Sequence, residues 1–154
     1  MLTGYSMITL LLALLFSTGV GGIGRPAVAQ SARVAPKYRI GLKYREIVSG
    51  KRMLFMQISV DAKYFNREDM LALARALRDK YGKREEGGLN VAICDDYELA
   101  KSKDLAHMLL AHEPMVALRG FMDTNPPGLK AGIEFSTERG RPYNEISIDL
   151  DDPN

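Results

Sequence analysis

"MLFMQISVDAKYFNREDMLALARALRDKYGKREEGGLNVAIC", residues 53–94, decides the fold, because it sets one strong helix pattern between two apolar runs of strand length. In the middle, Met70, Leu73, Ala74, Leu77 and Tyr81 recur at helical spacing and form one apolar face. Asn66 is placed to cap the first turn, Asp69 occupies the third helical position where a carboxylate meets the helix dipole, and Phe65 can staple to Met70. Gly82 is positioned as the C-terminal cap, and "KREEGG" follows as a loop. On the N-terminal side, Leu54, Met56, Ile58 and Val60 share one face of a strand, while Met53 and Phe55 make its other face partly apolar and predict a central place in the sheet. Leu89 to Cys94 reads as a further strand. Strand, helix and strand joined in one sheet make a right-handed crossover, so these two strands are expected to be parallel.

Working outward, Tyr38, Ile40, Leu42 and Tyr44 alternate with Arg39, Gly41, Lys43 and Arg45, the period of a half-buried strand. Gly50 in "SGK" can take the positive φ that a hairpin turn needs. Beyond Cys94 come a short helix around residues 96–103 and a segment, "DLAHMLLAHEPM", that can be helical until Pro114 interrupts it. Three antiparallel strands are expected after that: Val116 to Met122, Leu129 to Phe135 after the turn "NPPGL", and Ile146 to Leu150 after the turn "TERGRP". Alternation with one polar face implies a two-layer α+β sandwich. Its mixed, mostly antiparallel sheet contains one β-α-β crossover and carries helices on one face. The opposite face is expected to mix Arg39, Lys43 and Arg45 with Lys130, Glu134, Glu145 and Asp149.

The chain has 154 residues, the size of one domain. Its 21 basic and 19 acidic residues nearly balance, and no concentrated basic stripe with stacking aromatics appears, which argues against nucleic-acid binding. The single cysteine cannot form an intramolecular disulfide, so an ordinary core must hold the fold. Residues 1–24 carry no charged side chain, and "ITLLLALLF" has the length of a signal-peptide apolar region. Ala27-Val28-Ala29 fits the small-x-small pattern of a signal-peptidase site. We therefore expect a signal peptide over 1–29 with cleavage after Ala29, a flexible leader over 30–37, and one domain over 38–154. The product would be exported, periplasmic or secreted, with no membrane span after cleavage. The alternative is an N-terminal membrane anchor, since Arg25, Arg33 and Lys37 follow the apolar stretch and positive residues prefer the cytoplasmic side.

Several chemistries can be weighed residue by residue. His107 and His112, near Asp104 and Glu113, lie five residues apart, about 140° around a helix, so they would not face one ion together. "HEPMV" has Val116 where a zinc-binding helix carries its second histidine. The acidic tail "DLDDPN" lacks the spaced ligands of a calcium loop. Cys94 has His107 and His112 as candidate bases, but Asp95 and Asp96 disfavour its thiolate by like charge. Arg139, Arg141, Tyr143 and Asn144 cluster at a turn and could contact a carboxylate or phosphate. At "NVAICDDYELA", Asp95 reads as an N-cap, Glu98 as the third helical position and Cys94 with Leu99 as a staple, leaving Asp96 without a structural role. No motif is specific enough to import residues from a known family. The expectation is a small exported α+β protein that binds an unknown protein or envelope component without catalysis, metal or cofactor. The alternative is a small hydrolase or thiol enzyme using Cys94, Asp95, Asp96 and His107 or His112.

Overall fold

A computed structural model of the chain describes residues 33–103, 105, 116–125 and 128–152. Residue contacts divide the chain into Met1–Ser31 and Ala32–Asn154, and every described residue lies in the second unit. The expected signal segment, residues 1–29, lies outside the described residues. The fold is α+β: β1 (Tyr38–Val48), β2 (Lys51–Val60), α1 (Arg67–Lys80), β3 (Leu89–Cys94), α2 (Tyr97–Lys101), β4 (Arg119–Asp123), β5 (Gly132–Phe135) and β6 (Ile146–Asp149). The strands form one sheet in the order β1-β2-β3-β4-β5-β6. Among the described residues only β2 and β3 are parallel, as the crossover required; every other neighbouring pair of these strands is antiparallel.

The pleat sorts the core. Leu54, Met56, Ile58 and Val60 of β2, Leu89, Val91 and Ile93 of β3, Met122, Ile133, Phe135 and Ile148 all face α1, whose Met70, Leu73, Ala74 and Leu77 are fully buried against them. The helix begins as its composition required: the Asn66 side chain accepts from the Asp69 amide at 3.0 Å and donates to the Asp69 carboxylate at 2.7 Å. Tyr81, one residue before the expected Gly82, takes the C-cap position, and its amide bonds to the Leu77 carbonyl. Within the segment expected to be a leader, Arg33 pairs with Asp69 and Glu68 at the start of α1, and Pro36 is buried.

Two features depart from the simple alternation. The β1–β2 register shifts between Ile40 and Leu42, so Tyr38 and Ile40 stand on the α1 side whereas Leu42 and Tyr44 stand on the reverse side. A bulge inserts one residue and so turns the rest of the strand over. Lys43 and Arg45 therefore do not join Arg39 on the reverse face: Lys43 lies over the Tyr81 ring, 4.5 Å from its centroid, and Arg45 bonds Glu85 at 2.8 Å. Arg52 bonds the other oxygen of the same carboxylate at 2.8 Å, and Arg45 beside it holds the Glu85 carboxyl below its ordinary value. The second feature is the position of α2. The main helix occupies one face, but α2 sits on the reverse face, where Ala92 and Cys94 cluster with Ala100 and Leu105.

Candidate functional site

The strand-to-helix junction at residues 90–100 holds the first three candidates. Cys94 is fully buried, and its Sγ lies 3.0 Å from the Asp96 carbonyl and 3.8 Å from the Ile58 carbonyl, as a thiol donating a weak hydrogen bond. Burial pushes the Cys94 thiol up to about 11, with Asp95 and Asp96 adding to the rise. Such a sulfur carries almost no thiolate at neutral pH. Cys94 is accordingly expected to resist a thiol-reactive disulfide reagent in the native protein and to react fully in denaturant; rapid native labelling would show the burial to be wrong. Stability should also fall as pH rises from the ordinary thiol value of 9.0 towards about 11, because the unfolded chain ionises first, and Cys94→Ala should flatten that slope in denaturant melts.

Neither aspartate takes the role read from the sequence. Asp96, not Asp95, is the N-cap of α2: its Oδ1 accepts from the amides of Glu98 at 2.8 Å and Leu99 at 3.2 Å. The helix starts one residue later than the spacing suggested, so Cys94 and Leu99 do not hold the staple positions, although Leu99 still packs against the apolar cluster that contains Cys94. Asp95 instead reaches sideways. Its Oδ1 accepts from the Leu118 amide at 2.9 Å, its own amide donates to the Leu118 carbonyl at 3.3 Å, and its Oδ2 pairs with Arg139. Asp96→Ala should cost about 1 kcal/mol in thermal or denaturant melts while Asp96→Asn stays near wild type, since asparagine also caps; equal stability of all three would refute the cap.

Asp104, His107, His112 and Glu113 lie outside the described residues, so neither histidine can be placed relative to Cys94. Among the described residues, no group of three or more metal-ligating side chains is assembled. Asp149 is engaged locally, pairing with Lys130 at 2.9 Å and accepting from the amides of Asp151 and Asp152. At the "TERGRP" turn, Arg139 also donates to the Val116 carbonyl at 3.0 Å, and Arg141 bonds Glu138 at 3.4 Å while its carbonyl accepts from buried Arg119 at 2.8 Å. These arginines brace the domain's own backbone and acids. They do not converge on a shared outward point.

Tyr143 from the same loop does face a site. It leans over the reverse side of β4 to β6, its ring 6.3 Å from that of Phe121 and tilted by 59°. Together they wall a half-open cleft of about 420 Å³, with Glu134, Asp123, Ser147 and Lys130 at its polar positions. The arrangement follows from the pleat: Phe121 pairs with Glu134 and Glu134 with Ser147 across adjacent strands, which puts all three on the face away from α1. Leu129, 77% exposed, stands at the rim. Burial raises the Asp123 carboxyl above its ordinary value, against opposing hydrogen bonds from Asn125 and Asn90; burial, and then Glu134, raises the Tyr143 hydroxyl. The cleft thus offers aromatic surface beside carboxylate oxygens. Lys130, Glu134 and Asp149 were legible as outward residues, whereas Phe121 and Asp123 went unnoticed because their neighbours in the cleft come from other strands. No family model, curated protein or solved structure matches this chain.

Proposed function

We propose that this chain is a small exported binding domain of the bacterial envelope or periplasm, released by cleavage after Ala29, that acts without catalysis through the cleft on the reverse face of β4 to β6. The cleft carries the reading. Its volume falls in the range of sites for small molecules or a few side chains, and such sites are apolar with a few placed polar groups. Phe121, Tyr143 and Leu129 would take apolar surface, and Glu134 and Asp123 would accept hydrogen bonds from an amine or guanidinium beside it. A peptide segment pairing a basic residue with an aliphatic or aromatic one meets both demands. The buried, protonated state of Cys94 favours binding over thiol chemistry.

The test is a titration of isotopically labelled protein with a peptide library of that composition, followed by nuclear magnetic resonance. Amide shifts clustered at Phe121, Glu134 and Tyr143, abolished by Glu134→Lys, are the expected result. Shifts centred elsewhere, or covalent turnover of the peptides, would overturn it. N-terminal sequencing of the mature product should begin at Gln30.

A further inference from the structure

The end of the β1–β2 hairpin has a chemistry that the cleft does not use. Ser49 and Gly50, with φ of 52° and 77°, make a tight two-residue turn, which sets Ile47 and Val48 at the extremity of the ribbon. Ile47 is 71% exposed and Val48 is also exposed. By the pleat, Ile47 stands on the α1 side with Arg45, and Val48 on the reverse side with Tyr44, whose ring stacks on Phe55 at 5.3 Å. A protein groove or a pairing strand would cover one of these faces or the backbone edge. An apolar medium entered end-on removes both side chains from water together.

The charges behind the extremity are cationic in excess. Lys43, Arg45, Lys51 and Arg52 lie on the hairpin, against Glu46 on the same ribbon and Glu85, which Arg45 and Arg52 share. Lys51 stands opposite Val48, where its stem can run beside the aliphatic pair while its ammonium stays in water. Apolar residues at the extremity, an aromatic pair behind them and cations alongside form the pattern of an interfacial contact with anionic lipid.

We propose that the β1–β2 hairpin touches a membrane surface, Ile47 and Val48 entering the interfacial layer of an anionic bilayer and Lys51 meeting lipid phosphates. The inference rests on the envelope reading above but not on the cleft. Because the chain contains no tryptophan, Ile47→Trp supplies a sole fluorescent reporter at the hairpin in the released protein, residues 30–154. With vesicles of equal phosphatidylglycerol and phosphatidylcholine, its emission should shift to the blue and be quenched by brominated acyl chains, and Val48→Trp should report the same. Adding Lys51→Glu, or using pure phosphatidylcholine, should weaken the partitioning about tenfold or more. An unshifted spectrum on anionic vesicles would overturn the proposal. So would insertion of one reporter without the other, insertion indifferent to Lys51→Glu, or a blue shift without lipid that grows with protein concentration, which would identify a second copy as the occupant. Glu134→Lys leaves the hairpin intact, so a silent cleft with an inserted hairpin, or the reverse, tells the two readings apart.

Discussion

Gly41→Ala is expected to dislodge α2 from the sheet. A Cβ built on Gly41 would lie 2.2 Å from the Ala100 carbonyl oxygen, 2.3 Å from its carbon and 2.8 Å from the Lys101 nitrogen, all of them backbone. No rotamer change relieves such contacts, so either the helix or the edge strand must move by an ångström or more. Movement there breaks what seats α2. With its amide nitrogen turned to the helix end, Gln57 donates to the carbonyls of Ser102 at 2.6 Å and Ala100 at 3.0 Å, and the Arg39 guanidinium lies 3.5 Å from the centroid of the Tyr97 ring. A cost of about 3 kcal/mol follows from overpacking together with lost bonds to buried polar groups. Urea unfolding should show a lower midpoint with an unchanged slope. A midpoint within experimental error of wild type would mean that the close approach is not a feature of the folded protein.

Asp95→Ala should be nearly as damaging, and for a different reason. The Asp95 side chain is 2% exposed, and its carboxylate ties the end of β3 to the strand entering β4 through Leu118 and to the loop before β6 through Arg139. Deleting it leaves the Leu118 amide without its partner, at a cost of about 2 kcal/mol. Asp95→Asn keeps an acceptor for that amide but loses the ion pair, so it should fall between alanine and wild type. Arg139→Ala removes the other partner from a buried carboxylate and should also destabilise. The double variant should lose less than the two single variants combined, because both act on one interaction. Strict additivity in a double-mutant cycle would refute the coupling.

The parts of this fold legible in the sequence were those where local pattern and tertiary demand coincide. Residues 53–94 carried their own instructions: period-two strands, a capped amphipathic helix, and a topology rule that made β2 and β3 parallel. β1 shows where such reasoning stops. Its alternation from Tyr38 to Tyr44 looks unbroken, yet the register shifts at Gly41, where the backbone of α2 arrives from a segment more than fifty residues later. No local pattern encodes that contact. The adjacent aspartates show a second limit. Either carboxylate can cap a helix, and the choice depends on where the backbone leaves the strand, which only the Leu118 and Arg139 contacts of Asp95 reveal. The cleft was illegible for the same reason, since Phe121, Glu134 and Ser147 belong to three strands and meet only through the sheet's lateral order.

That lateral order has a kinetic consequence. Because spatial and sequential order agree across the six strands among the described residues, each of them after β1 pairs with its predecessor. The hairpins β1–β2, β4–β5 and β5–β6 can close across the shorter connections, while β2 to β3, and β3 to β4, require longer excursions. Folding is therefore expected to be limited by closing the middle of the sheet, with the outer hairpins already forming on either side. Stopped-flow refolding of Phe55→Ala, Ile93→Ala and Ile133→Ala would read this directly: a folding rate depressed chiefly at Ile93 would identify β3 as the rung on which assembly waits.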